Sequence, residues 1–356
     1  MAGGQSEDLV REFREKRQRY ENLEQRLKSL IDELIRTEHI RIHTIESRTK
    51  TEESFQEKIS RPGKQYDSLD QIIDLCGLRV IVYYKSDVGR VSELLHREFD
   101  INPDRSGDTV DRLAPDQFGY ASLHHVLRLS ASRENLREYK DSRGIWAEVQ
   151  VRTAVQHAWA AISHALQYKR ETDLPKPLIR RLARLAGLLE LADEEFESVR
   201  KQHEIIATNA TEAVKSGRLA LALDATSIQG YVMLSSRVPP MRAAVKRAGF
   251  QISRVTKNET TSQLIRLARL LGIRTLEDFD AALARIEPVQ QAYFETLRSG
   301  NPRTWTASES FFMMLILPLA FQQEVTAAML MRIFQEFGWH DDIANRVAIA
   351  ATQFRR

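Results

Sequence analysis

The chain has 356 residues, 42% of them hydrophobic and 28% charged, the balance of a globular protein of about two domains at ~150 residues each. With 52 Lys and Arg against 49 Asp and Glu the net charge is +3, too mild to mark a nucleic-acid binder but open to anionic ligands. One cysteine, Cys76, excludes a disulfide framework and a Cys-rich zinc module and suits a reducing cytoplasm. The start, MAGGQSEDLV, lacks the apolar core of a signal peptide. The longest apolar run, 311–321, is shorter than the ~20 residues of a membrane span and contains Pro318. The expectation is a cytoplasmic protein without a membrane segment.

From residue 6 to about 47 there is no Pro or Gly, and Tyr20, Leu23, Leu27, Leu30 and Leu34 recur at three-and-four spacing. This predicts an N-terminal helical segment, 1–47, packed on the domain that follows. Too few heptads repeat for a coiled coil to be the better reading, although a homo-oligomer is compatible with the pattern. Ser60-Arg61-Pro62-Gly63 is a turn signal. Short elements then alternate: a buried strand over 78–84 (LRVIVYY), a helix over 87–99, half-buried strands over 122–129 and 144–151, and a helix over 154–168. Interleaving of this kind predicts a domain with a central sheet. Beyond Pro175 and Pro177 a basic amphipathic helix, 178–203, carries Arg180, Arg181 and Arg184. From there to the end the period is helical, which predicts a separate all-α domain over 206–356 with the run 311–317 as a buried helix.

Three clusters carry chemistry. In RTKTEESFQEK, helical continuation would set Lys50, Ser54 and Lys58 on one face with Arg48 nearby, a cradle for phosphates. A solvated face shared with Glu52, Glu53 and Glu57 is the plainer reading of that segment alone. In Asp74-Leu75-Cys76-Gly77-Leu78-Arg79 a carboxylate enters a buried strand, which requires a partner or a metal; an Asp74–Arg79 ion pair would serve. Cys76 reads as a filler of apolar space, since nothing nearby would lower its pKa. In the third cluster, Glu148, Gln150 and Arg152 share one face of a strand, poor core material but a good wall for a nucleotide site. Gly119 allows a sharp turn before Tyr120, whose ring can stack on a base; His124 follows.

Taken together, these segments resemble the synthetase domain of the RelA/SpoT family, which makes the alarmones ppGpp and pppGpp. The resemblance covers roughly residues 40–170. It rests on R-x-K-x-x-x-S-x-x-x-K (48–58), D-x-x-G-x-R (74–79), G-Y-x-S-L-H (119–124) and E-V-Q-V-R-T (148–153). A helix with Gln156, His157, Trp159, His164 and the Tyr168-Lys169 pair follows them. Five ordered motifs are far more specific than any one.

The resemblance implies an α+β nucleotidyltransferase-like fold over 48–205, a mixed β-sheet flanked by helices. It implies transfer of the β,γ-pyrophosphate of ATP to the ribose 3′-hydroxyl of GDP or GTP with Mg²⁺. Asp74 and Glu148 would hold the metal, with Glu148 also placed to deprotonate the hydroxyl. Arg48 and Arg79 would sandwich adenine, with Lys50, Ser54 and Lys58 at the ATP phosphates. Tyr120, His124, Gln150 and Arg152 would face the acceptor.

The acceptor loop departs from the family's P-K-x-x-G-Y, reading Pro115-Asp116-Gln117-Phe118-Gly119-Tyr120, with Asp111 and Arg112 offering substitute charge. Two alternatives therefore stand beside the first reading: a toxin-type enzyme that modifies the 3′-end of tRNA, and a catalytically silent binding protein on the same fold. The metal-binding H…HD…D set of the family's hydrolase domain has no counterpart before residue 48, so no alarmone hydrolase is expected. The all-α domain is expected to be regulatory.

Overall fold

A computed structural model describes residues 2–63, 65–108, 122–167, 175–253, 258–299 and 305–354, which fall into two compact units, Met1–Arg200 and Lys201–Arg356. In the first, the three-and-four stripe builds α1 (Ala2–Thr37), whose Phe13, Leu23, Leu27, Ile31 and Ile35 are buried. The helix expected to reach residue 47 stops ten residues earlier. His39 takes a left-handed conformation (φ 53°), the Ile40 amide donates back to the Ile35 carbonyl and the His39 amide to the Arg36 carbonyl, a Schellman termination. Ile42, Thr44 and Ile45 then favour extended backbone, and Ile42–Thr49 is an edge strand, β1.

The chain continues through α2 (Glu52–Ile59), β2 (Cys76–Val82), α3 (Lys85–Glu98), β3 (Phe99–Ile101), β4 (Gly107–Asp108), β5 (Leu123–Leu129), the short α4 (Ala131–Glu134), β6 (Ala147–Thr153) and α5 (Ala154–Gln167). The sheet is mixed, in the order β1-β2-β6-β5-β3 with β4 added beside β5. β2 and β6 are parallel; β1 on β2, β5 on β6 and β3 on β5 are antiparallel. Strand alternation gives the sheet one apolar face. Leu78, Val80 and Val82 of β2, Leu127 and Leu129 of β5, and Val149 and Val151 of β6 join the α1 stripe and Val91, Leu94 and Leu95 of α3 in one core. Burying each such side chain is worth about 1.5–3 kcal/mol. The opposite face carries Arg79, His124, Glu148, Gln150 and Arg152, with Ile81 and Val126 buried among them.

Thr153 and Gln156 form a capping box at the start of α5. The Gln156 amide donates to Thr153 Oγ1 (3.1 Å), and the Thr153 amide donates to Gln156 Oε1 (2.7 Å). α6 (Lys176–Lys215) runs past the 203 expected for it, with Arg180, Arg181 and Arg184 exposed. The division between the units falls within it, near the expected boundary at 205.

His125 of β5 is 2% exposed, its ring lies edge-on to His96 (5.3 Å between centroids), and neither ring nitrogen has a hydrogen-bond partner among the described residues. Burial first, then the neighbouring His96 and His124, push it down to about 4 from 6.5. The unfolded chain therefore takes up a proton that the folded chain refuses. The stability due to a neutral ring is complete above pH 6.5 and is lost as the pH falls toward 4, by about 3 kcal/mol in all. Denaturant melts at the two pH values should show this loss, and His125→Phe should abolish that share of it. An identical pH slope in the variant would mean the ring is not held neutral.

The second unit is built from α7 (Ala225–Leu234), α8 (Val238–Arg247), α9 (Asn258–Leu270), α10 (Leu276–Ile286), α11 (Gln290–Ser299), α12 (Glu309–Ile316), α13 (Ala327–Glu336) and α14 (Asp341–Gln353). Its one departure from the all-α expectation among the described residues is a two-residue parallel pair, β7 (Gln251–Ile252) with β8 (Thr306–Ala307), beside an isolated bridge between Ala222 and Thr275. Capping boxes at Asp224/Ser227 and Thr275/Asp278 start α7 and α10. The run 312–317 is buried with Tyr231, Phe279, Tyr293, Phe294 and Phe334, as its composition predicts. No helix among the described residues is long and apolar enough to cross a membrane.

Candidate active site

The polar sheet face is set by register. Arg48 of β1 pairs with Gly77 of β2, which pairs with Glu148 of β6; one pleat on, Glu46 pairs with Arg79, Arg79 with Gln150, and Gln150 with His124 of β5. Residues two apart share a face, so these side chains converge where Gly77 contributes none. A cavity of about 240 Å³ opens there, lined by Glu46, Arg48, Asp74, Gly77, Arg79, Glu148 and Gln150 among others. A second, of about 390 Å³, shares Arg48, Arg79 and Gln150 and adds Arg152, His157 and His164.

Asp74 stands in the turn leading into β2. Its Oδ2 accepts from Lys50 Nζ (2.8 Å) and its Oδ1 from Lys58 Nζ (2.6 Å). This corrects two expectations. Asp74 pairs with the lysines rather than with Arg79, and the lysines do not share a helical face. Lys50 follows β1, tied by its amide to the Leu75 carbonyl (2.9 Å), while Lys58 lies on α2. α2 is fixed by its Thr51 cap and by Phe55, which stacks on Phe13 of α1 at 4.4 Å. Ser54 is exposed, takes part in that cap and does not line either cavity. Burial pushes the Asp74 carboxyl up, but hydrogen bonds and charge from both lysines outweigh it and hold it below the usual carboxylate range.

Glu148 is held at both oxygens. Oε1 lies 2.9 Å from His124 Nδ1, and Oε2 accepts from Gln150 Nε2 at 3.2 Å. Burial and the charge of Asp74 raise its pKa, burial the more, yet His124 and Gln150 bring it below the ordinary value, so it is ionised at neutral pH. Arg79 donates to Glu46 and Gln150, both at 3.4 Å, and Arg152 donates to Gln150 Oε1 at 2.9 Å. Arg48 makes no side-chain hydrogen bond or ion pair with a described residue and faces both cavities. Burial, reinforced by Arg79, pushes Arg152 down to about 10. Arg152 Nε and His157 Nδ1 are buried without partners among the described residues, beside the second cavity. Unmet polar atoms at a cavity wall mark a place for a polar ligand.

Of the expected site residues, Arg48, Lys50, Lys58, Asp74, Arg79, His124, Glu148, Gln150 and Arg152 lie on this face or pair with groups that do. Tyr120, with Asp111, Arg112, Asp116, Tyr168 and Lys169, lies outside the described residues. Glu46 was missed because its segment read as helix; the β-branched Ile42, Thr44 and Ile45 around it were the available signal. Cys76 is fully buried, and burial raises its thiol, which leaves it a packing residue. For a metal, no group of three or more His, Cys, Asp or Glu ligands exists among the described residues. Asp74 and Glu148 nevertheless offer hard oxygens to one cavity, which fits Mg²⁺, an ion that commonly takes one or two carboxylates and completes its shell with phosphates and water.

Residues 47–173 match the family model described as a region found in RelA / SpoT proteins. The chain is similar to the GTP pyrophosphokinase YwaC of Bacillus subtilis, 29% identical over 167 residues, which span 46% of this chain and 76% of that protein. It is also similar to the GTP pyrophosphokinase YjbM of the same organism, 27% identical over 164 residues, 46% of this chain and 74% of that one. Among solved structures, the small alarmone synthetase 2 from Bacillus subtilis aligns over 53% of this chain and 98% of its own at 26% identity, with a TM-score of 0.46.

Proposed function

Given that the chain carries a RelA/SpoT region over residues 47–173, we propose that its polar cleft transfers the β,γ-pyrophosphate of ATP to the ribose 3′-hydroxyl of GDP or GTP. The observation that carries this reading is the convergence of Asp74 and Glu148 with Arg48, Arg79, Lys50 and Lys58 around one cavity. Phosphoryl chemistry asks a protein mainly for positioning and positive charge, and this cleft is built of both. The relatives' names, GTP pyrophosphokinases, support pyrophosphate transfer and a guanine nucleotide as a substrate.

Glu148 accepts the proton of the 3′-hydroxyl, a very weak acid that needs a carboxylate within reach. The freed oxygen bonds the β-phosphorus, the bond from that phosphorus to the oxygen bridging to the α-phosphate breaks, and AMP leaves with the bridging oxygen. Arg48 and Arg79 flank the donor's base, a role suited to flat guanidinium groups. Lys50 and Lys58 oppose the charge of its phosphates. Arg152, His157 and Gln150 line the neighbouring cavity, where the unmet Nε–H of Arg152 and the unmet Nδ1 of His157 meet polar groups of the second nucleotide. Asp74 and Glu148 would hold Mg²⁺, which when bound neutralises charge on the phosphates.

Incubation with γ-labelled ATP and Mg²⁺ in the presence of GDP, GTP or bulk tRNA tests the acceptor. Label is expected in a guanosine tetra- or pentaphosphate. Label on RNA would replace the guanine nucleotide with a tRNA end, and no transfer to any acceptor would reject the enzyme.

A further inference from the structure

His124 is engaged at both ring nitrogens: Nδ1 lies 2.9 Å from Glu148 Oε1, and Nε2 lies 2.7 Å from Ser122 Oγ. An ionised carboxylate only accepts, so the hydrogen in the first contact belongs to Nδ1. The opposite tautomer would set a ring lone pair against a carboxylate oxygen. A hydroxyl rotates to donate or accept, so Ser122 can hold Nε2 in either case. The three groups form a continuous chain on the polar face. Ser122 and His124 are two residues apart, and His124 pairs with Gln150, whose amide takes the other Glu148 oxygen.

We propose that Ser122 is a positioning residue for pyrophosphate transfer: its hydroxyl fixes the His124 ring so that Nδ1–H orients the Glu148 carboxylate toward the attacking hydroxyl. The catalytic part rests on the function proposed above. An imidazole held at one nitrogen only can turn about χ2 and present a C–H to Glu148. The second hydrogen bond removes that freedom. His124, expected from the sequence to contact the acceptor, is thereby assigned to alignment of the base. Ser122 itself lines neither cavity on the polar face, so its loss should act on turnover more than on substrate affinity.

Ser122→Ala is expected to lower kcat about tenfold to a hundredfold, the usual effect of removing an outer partner of a site residue. KM for both nucleotides should stay within about twofold of wild type, the split that marks a loss confined to the transition state. Ser122→Thr, which keeps the hydroxyl, should recover most of the rate. In the full-length chain labelled with ¹⁵N-histidine, the His124 signal, identified by its absence in His124→Asn, should show a hydrogen-bonded Nδ1 proton that Ser122→Ala loses. An unchanged kcat in Ser122→Ala, or a fall that Ser122→Thr does not rescue, overturns the positioning role. A His124 signal indifferent to Ser122→Ala overturns the alignment itself. Absence of transfer by the wild-type chain, by contrast, overturns the functional reading and with it the catalytic part, while the ring signal still decides the alignment.

Discussion

Glu148→Gln is expected to lower pyrophosphate transfer by on the order of 10²–10⁴-fold, the usual contribution of a positioned general base, without unfolding the chain. The amide keeps the shape of the side chain, and its oxygen can still accept from His124 Nδ1. What it lacks is the ability to take a proton from a sugar hydroxyl. Some stability should be lost, because the fold favours the ionised carboxylate and the new amide sets a donor against the Gln150 Nε2 that now donates to Glu148 Oε2; a lost hydrogen bond of this kind costs about 1–3 kcal/mol. Steady-state rates together with a thermal melt that stays cooperative, if a few degrees lower than wild type, would establish both halves. The carboxylate is active when ionised, and its pKa lies below the ordinary value, so the acid limb of the rate profile should fall only below the usual glutamate range. A rate near wild type in Glu148→Gln would remove this residue from the chemistry.

Asp74→Asn should cost on the order of 10²–10³-fold in rate, comparable to loss of one strong electrostatic contact to a transition state. It should also raise the Mg²⁺ concentration needed for half-maximal activity. Lys50 and Lys58, 11% and 21% exposed, both lose their ion pair with this carboxylate, so a destabilisation of about 1–3 kcal/mol should accompany the kinetic loss. The sign with pH is fixed by the direction of the shift. The folded carboxyl is held below its ordinary value, so its stabilising contribution is present above about pH 4 and fades as the pH falls through the lowered folded value. Asp74→Asn should flatten that part of the stability profile. Magnesium titrations and calorimetry of wild type and variant read the two effects separately; an unchanged magnesium requirement would deny Asp74 a role at the metal.

Much of the sheet was legible because its strands obey period two. The alternation at Glu148, Gln150 and Arg152 placed all three on one face, and the register with Arg79 and His124 then brought that face together. The segment 42–51 was misread because the uninterrupted stripe of α1 masked the change of period after His39, where a single left-handed residue redirects the chain, while the helix read over the following residues is α2. Lys50 and Lys58 nevertheless reach the same carboxylate, one from a strand end and one from a helix, a convergence that spacing along a single element does not encode. Glu46 escaped notice, and Ser122 stood only as one letter of a motif with no role given to it, for a related reason. Each acquires its meaning from a partner on another strand: Arg79 for Glu46, and Glu148 through His124 for Ser122. Gln156, quoted among the family-like residues, turns out to have a local task in capping α5. The helical unit offered periodicity but no clustered chemistry, so its architecture was readable and a function was not.

The most direct test of the central claim follows the β-phosphorus. With ATP labelled at that position, GDP and Mg²⁺, the wild-type chain should move the label into the guanosine product and release unlabelled AMP in equal amount. Glu148→Gln should do neither at a comparable rate. Label recovered in ADP, with a single phosphate added to the acceptor or none, would contradict the account.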